Sequence, residues 1–199
     1  SFMPTGWMEM GSAALLGYIL GSIPFGLLLT KFGGAGDIRD IGSGNIGATN
    51  VLRTGRKGLA ALTLLLDLLK GLAAVLLARE LVPGFEVIAA VAAFFGHLYP
   101  VWLGFKGGKG VATYAGILFG LNWPLGLIYG AVWIGMLLLT RISSLSGLIA
   151  AAVAPLAAVF FGSVTIVIPL VACSLIVFWK HRENIQRLMA GTEPRIGQK

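Results

Sequence analysis

The stretch Gly58-Leu59-Ala60-Ala61-Leu62-Thr63-Leu64-Leu65-Leu66-Asp67-Leu68-Leu69-Lys70-Gly71-Leu72-Ala73-Ala74-Val75-Leu76-Leu77-Ala78 holds 21 residues and only two charges. As a helix it would extend about 30 Å, the thickness of a bilayer's hydrocarbon core. It reads as a membrane-crossing helix. Asp67 and Lys70 are three apart, so they share a helix face and can pair. A charge at the bilayer centre costs about 2.5–3.5 kcal/mol on insertion scales, which pairing or a polar cavity must offset. An internal ion pair is the expectation, and contact with a substrate is the alternative.

Working outward, similar apolar runs occur at Ser12–Thr30, Val87–Leu103, Val111–Leu121, Leu125–Thr140, Leu145–Phe161 and Val164–Trp179. Of the 199 residues, 57% are apolar and 12% charged, against about 25% charged in a soluble domain. The chain therefore lacks the charge to cover a water-facing surface, and it is too hydrophobic for disorder. The reading is an all-α polytopic membrane protein. Residues 1–10 read as an N-terminal segment, in part an expression remnant, with Ser1–Gly6 fitting no element. Residues 11–199 read as a single transmembrane domain. No basic region precedes the first apolar run, so no cleaved signal peptide is expected.

Basic residues set the topology. With seven crossings, Lys31, Arg39, Arg53, Arg56, Lys57, Lys106, Lys109, Arg141, Lys180, Arg182, Arg187, Arg195 and Lys199 fall on one side, 13 of the 15. Arg79 lies outside and Lys70 within a span. Merging the short Val111–Leu121 run with its successor across Asn122-Trp123-Pro124 would send Arg141 and the C-terminal basic cluster to the other face. The positive-inside rule thus favours seven transmembrane helices, N-terminus out and C-terminus in. Trp102 and Trp179 fall at the inner boundary and Trp123 at the outer, as an aromatic belt requires. The net charge of +7 therefore marks a basic membrane face, and no nucleic acid or obligate protein partner is expected. The outer connections, Arg79–Glu86, Asn122–Pro124 and Gly162–Ser163, are short, while the inner ones are longer and polar. Chemistry is expected on the inner, cytoplasmic loops.

Within the spans, small residues four apart (Gly17 and Gly21, Gly116 and Gly120, Gly126 and Gly130) read as close helix packing. Pro24, Pro155 and Pro169 read as tolerated kinks, and the lone Cys173 as a small packing residue.

The first inner loop, Ile41-Gly42-Ser43-Gly44-Asn45-Ile46-Gly47-Ala48-Thr49-Asn50-Val51-Leu52-Arg53, contains G-x-G-x-x-G. The dinucleotide fingerprint also needs a preceding strand and a βαβ unit, and membrane spans flank this one. Flexible glycines can still turn N–H groups towards an anion. Ser43, Asn45, Thr49 and Asn50 would add donors, and Arg53 can grip a phosphate. The second loop runs from Gly96-His97-Leu98-Tyr99-Pro100 to Phe105-Lys106-Gly107-Gly108-Lys109-Gly110. It is not a Walker A loop, because Leu103 and Gly110 occupy required positions. Its glycine amides, Lys109 and the start of the next helix are expected to meet at a phosphate-sized anion. His97 reads equally well as a packing histidine. In the third region His181 and Asn184, three apart, share a helical face, and Ser143 and Ser144 lie on the same membrane side.

Two absences narrow the chemistry. Neither histidine has aspartate five residues on, since Trp102 and Gln186 stand there, so the usual His/Asp signature of glycerolipid acyltransferases is missing. Two histidines, few carboxylates and one buried thiol offer no metal site of ordinary spacing, and no cofactor is called for.

The segments from Ser43 to Arg53, from Gly96 to Gly110 and from His181 to Glu193 resemble, in order, the three signature blocks of the bacterial acyl-phosphate:glycerol-3-phosphate acyltransferases. The resemblance extends from about Gly11 to Pro194. It implies a seven-helix bacterial inner-membrane enzyme that transfers a fatty acyl group from acyl phosphate to glycerol 3-phosphate. The products are 1-acyl-glycerol-3-phosphate and phosphate, formed for phospholipid biosynthesis with no protein nucleophile. On that expectation glycerol 3-phosphate falls to Arg53, Lys109, Ser144, His181 and Asn184, and the acyl phosphate head to Ser43, Asn45, Thr49, Gly107 and Gly108. Arg53 and Lys109 would neutralise charge, and His181 or a substrate phosphate oxygen would take the proton. A membrane transporter for phosphorylated anions is the competing reading, since it would share the basic loops and the Asp67/Lys70 pair.

Overall fold

The computed structural model describes residues 5–162 and 164–198, all helix and connecting loop. Ten α-helices occur among the described residues: α1 (Thr5–Gly21), α2 (Phe25–Phe32), α3 (Ala48–Leu52), α4 (Lys57–Leu81), α5 (Glu86–Leu98), α6 (Val111–Leu121), α7 (Trp123–Thr140), α8 (Ser143–Phe161), α9 (Val164–Lys180) and α10 (Arg182–Ala190). Single 3₁₀ turns lie at Ile38–Asp40 and Val101–Leu103.

The apolar runs are helical, except that Val87–Leu103 leaves the α-helix at Leu98 and ends in a 3₁₀ turn after Pro100, and that two differences lie at the start of the chain. Helix α1 begins at Thr5, seven residues before the expected span, so part of the segment expected to be without structure is helical. Ser1–Pro4 lie outside the described residues, as does Ser163 of the third outer connection. The first run is also broken. Pro24 has no N–H to continue a ladder, and α2 starts afresh after it. At the other doubtful junction Asn122 is extended (φ −160°, ψ 96°), so α6 and α7 are separate helices.

Among the described residues five segments are long and apolar enough to cross a membrane: Gly6–Phe32, Lys57–Leu81, Glu86–Leu103, Trp123–Thr140 and Ser143–Phe161. Helices α9 and α10, bent by 60° at His181, make a sixth if taken together, and α6 is an 11-residue apolar helix. Leu139, Phe160, Val164 and Ile168 are all about four-fifths exposed, as expected where lipid is the solvent.

The fold comprises two compact units that meet in sequence at Leu121 and Asn122. In the first, backbone runs on backbone. A methyl group added at Gly17 or Gly21 would strike the main chain of Ala89 or Ala93, and one at Gly116 that of Leu68. Helices α1 and α5 therefore run side by side in the same direction, as do α4 and α6. The Asp67/Lys70 pair lies inside this unit, its side chains at most 4% exposed, so it is an internal pair. Arg79, in the last turn of α4, donates to the Gly120 carbonyl at 2.7 Å, capping the end of α6. The loops that follow α2 and α5 both lie at the opposite end, beside the first turns of α4 and α6.

The second unit packs α7, α8 and α9 through the alanines of α8, with Ser174 donating to the Ala151 carbonyl at 2.6 Å. Cys173 is buried on α9. Gly130 departs from the packing expectation, since a methyl group there would meet nothing within 4 Å.

Candidate functional site

The first loop is built around Asn50, which is 2% exposed. Its amide nitrogen donates to the carbonyls of Asn45 (2.8 Å), Ile41 (2.8 Å) and Ile38 (3.2 Å). Its oxygen accepts from the Ser43 N–H at 3.2 Å and from Arg53 Nη1 at 3.3 Å. Asn50 was expected to offer a donor outward, and instead it is the hub that shapes the loop. Only a primary amide could do this, since it donates and accepts at adjacent atoms. Two tight turns complete the shape. The Ser43 hydroxyl oxygen accepts from the Asn45 N–H, and the Asn45 side-chain oxygen accepts from the Gly47 N–H at 2.8 Å. Gly42 (φ 53°) and Gly44 (φ 73°) take left-handed conformations that favour glycine. Beneath them Ile38, Ile46, Val51, Leu27 and Ala60 form an apolar floor.

This frame leaves Ser43 and Arg53 exposed, with Asn45 and Thr49 half-buried. The basic residues beside it differ in availability. Arg39 grips Asp37 with two hydrogen bonds, at 2.9 and 2.6 Å, and these hold the Asp37 carboxyl well below the usual carboxylate range. Arg53 touches the neutral Asn50 amide and pairs with no carboxylate among the described residues. Its charge is therefore not neutralised by an acid and can meet an anion.

The second loop folds back on α5. Tyr18 donates to the Tyr99 carbonyl at 2.7 Å and accepts from the Val101 N–H, while Trp102 Nε1 donates to the Ser22 carbonyl. The Gly107 and Gly108 N–H groups donate to the carbonyls of Leu98 (3.0 Å) and His97 (3.1 Å). This corrects the expectation that those amides point at an anion. They satisfy helix-end carbonyls that would otherwise lack partners. What the glycines supply is close approach, since a side chain on Gly108 would collide with the His97 ring, and one on Gly107 with the His97 carbonyl. Lys109 follows directly, half-buried, before Gly110 (φ 95°) turns the chain into α6.

In the second unit the hub is Glu193, whose side chain is 4% exposed. It accepts from Ser144 Oγ at 2.5 Å, Asn184 Nδ2 at 2.8 Å and Arg187 Nε at 2.9 Å. Burial alone would push its carboxyl up, but the three hydrogen bonds and the Arg187 charge outweigh it and hold the group below its ordinary value. Ser144 and Asn184, 40 residues apart in sequence, thus meet at one carboxylate oxygen. His181 sits at the α9/α10 bend, 3% exposed, with Nδ1 2.7 Å from the Val177 carbonyl. A carbonyl can only accept, so Nδ1 carries the proton and Nε2 is the acceptor nitrogen of the neutral ring.

Glu193 was not assigned a role from the sequence, although it closes the third block. Its signal was an acid at the end of a basic segment, where Glu183 is the other acid. No group of three or more His, Cys, Asp or Glu able to hold a metal occurs among the described residues.

A family model described as glycerol-3-phosphate acyltransferase matches residues 12–191. The glycerol-3-phosphate acyltransferase of Erythrobacter litoralis (strain HTCC2594) is 59% identical over 192 residues, covering 96% of this chain and 98% of the relative. That of Mesorhizobium japonicum is 61% identical, with 94% and 96% covered. Among solved structures, PlsY (YgiH), an integral membrane glycerol 3-phosphate acyltransferase, is similar in its glycerol 3-phosphate form. The TM-score is 0.88 at 37% identity, over 94% of this chain and 96% of that one. Its lysophosphatidic acid form gives 0.86 at 36% identity, covering 94% and 95%.

Proposed function

This chain belongs to the glycerol-3-phosphate acyltransferase family, and on that premise we propose that its acyl donor is a fatty acyl phosphate. Acyl phosphate is a mixed anhydride. The glycerol 3-phosphate hydroxyl adds to the carbonyl carbon, the carbon–oxygen bond to phosphate breaks, and 1-acyl-glycerol-3-phosphate and inorganic phosphate leave. Phosphate is a competent leaving group, so no acyl-enzyme is needed.

The observation that carries the reading is the Glu193 hub, which gathers Ser144 and Asn184, with His181 three residues before Asn184 and its Nδ1 tied to the Val177 carbonyl. Glycerol 3-phosphate is assigned to Arg53, Lys109, Ser144, His181 and Asn184. The acyl phosphate head is assigned to Ser43, Asn45 and Thr49, with Gly107 and Gly108 as the side-chain-free strap that carries Lys109. The two substrates are anions, and Arg53 and Lys109 would lower their repulsion while the hydroxyl is held within about 3–3.5 Å of the carbonyl. The proton goes to a substrate phosphate oxygen or to His181 Nε2.

The enzyme would be a multi-pass protein of the bacterial inner membrane. Its seven crossings would include the short α6, with the N-terminus out, the C-terminus in and both loops cytoplasmic. Residues 11–199 would act as one acyltransferase domain. Purified protein given radiolabelled glycerol 3-phosphate and palmitoyl phosphate should form lysophosphatidate with one equivalent of phosphate. Product from palmitoyl-CoA alone would overturn the donor. Flux of glycerol 3-phosphate across sealed vesicles with no covalent product would favour the transporter.

A further inference from the structure

The buried pair of α4 does more than neutralise itself. Lys70 Nζ lies 3.1 Å from Asp67 Oδ1, donates to the Ile23 carbonyl at 3.0 Å, and lies 2.8 Å from His97 Nδ1. One ammonium thus joins the α1/α2 break, the middle of α4 and the last turn of α5. An ammonium has no lone pair, so His97 Nδ1 must accept and the ring proton must sit on Nε2. The two histidines of the chain therefore hold opposite tautomers, since His181 carries its proton on Nδ1.

The His97 ring is also a seat. Gly108 lies against its Nε2 and Cε1 edge closely enough that no side chain fits, and the N–H groups of Gly107 and Gly108 are tied to the last carbonyls of α5. Lys109 leaves this seat as the next residue. Rotation of the His97 ring out of its present plane would displace the Gly107–Gly108 strap and the lysine with it. We propose that Lys70 is a positioning residue for acyl transfer, holding His97 in its Nε2–H form so that the strap presents Lys109 correctly. This rests on the role assigned to Lys109 above.

The test uses the full chain in lipid nanodiscs with ¹⁵N-labelled histidine, the two rings being assigned with His181→Gln. Wild type should show Nε2–H at His97. Asp67→Asn/Lys70→Met, which removes both charges, should lose that fixed tautomer at His97 only. Its kcat should fall roughly tenfold or more, as a misplaced catalytic group predicts, and KM for glycerol 3-phosphate, which Lys109 is also assigned to hold, should rise with it. Asp67→Asn alone keeps a Lys70 nitrogen that can still donate to His97, and should retain more of the Nε2–H signal and of kcat than the double variant. An Nδ1–H signal at His97 in wild type would overturn the proposal whatever the variants do. So would an unchanged tautomer in the double variant, or equal kcat in the single and double variants. The tautomer is read without any reaction, so loss of the acyltransferase reading itself would show separately, as wild type making no product.

Discussion

The hydroxyl of Ser144 donates to the carboxylate of Glu193 at 2.5 Å, tying the first turn of α8 to the segment that follows α10. Asn184 uses the same oxygen. The two side chains assigned to glycerol 3-phosphate in this unit are thus oriented by a residue that need not touch it. Glu193→Gln keeps the shape and removes the charge. Hydrogen bonds to a charged group are worth about 1.5–3 kcal/mol, so thermal unfolding should show a loss of that order, and KM for glycerol 3-phosphate should rise by about tenfold.

The same carboxylate predicts a pH dependence. Its folded value lies below the ordinary carboxylate value of 4.5. The stability it contributes is therefore complete above the unfolded value and is lost as pH falls through the lower folded one. Unfolding measured from about pH 6 down to about pH 3 should show a gap between wild type and Glu193→Gln that narrows with acid. A constant gap would show that the charge is not the source.

Asn50 makes the second prediction about a hub. Asn50→Asp replaces a donor to three carbonyls with an oxygen that repels them. Buried groups left unpaired cost about 1–3 kcal/mol each, and relaxation of the loop will recover part. A net loss of about 2–4 kcal/mol is expected, together with protease cleavage between Ile41 and Arg53 and a fall in kcat/KM of tenfold or more. Wild-type resistance to protease in this variant would remove Asn50 from its structural role.

These two hubs mark where sequence reading stops. Apolar runs fixed by lipid thickness need no partner to be recognised, and Val111–Leu121 was read with the bounds that α6 has. Asn50 and Glu193 act through groups up to 12 and 49 residues away, and spacing carries no trace of such contacts. Gly107-Gly108-Lys109-Gly110 misled for a related reason. The pattern suits an anion loop, but the turn at Pro100 brings the chain back over the open carbonyls of α5, which take the amides first. The break before α2 was visible only as Pro24, whose effect depends on whether neighbouring groups satisfy the freed backbone.

Glycines separate packing from tolerance. Gly116→Ala would press a methyl group into the Leu68 carbonyl and force α4 and α6 apart, with overpacking costing about 1–3 kcal/mol. Gly130→Ala meets nothing within 4 Å and gains about 0.5–1 kcal/mol of helix propensity. Unfolding in detergent should place the first below wild type and the second at or above it.

Lys109→Met tests the charge scheme. If the lysine neutralises charge that grows during acyl transfer, kcat should fall on the order of 10²-fold or more, while the protein elutes and unfolds like wild type. Near-normal turnover would leave Arg53 as the sole cation of the first unit assigned to that task.

His181 decides where the proton goes. The Val177 carbonyl, 2.7 Å from Nδ1, fixes the tautomer, so Nε2 has the lone pair that a base needs. The same lone pair would equally accept a hydrogen bond from the glycerol hydroxyl and merely hold it. Only the split between kcat and KM distinguishes these roles. With so few candidate bases in the chain, a phosphate oxygen of the substrate is the expected acceptor. His181→Gln should then raise KM for glycerol 3-phosphate and leave kcat within about tenfold of wild type. A general base would cost about 10²–10⁴ in kcat, and a loss of that size would move the proton from the substrate to the histidine.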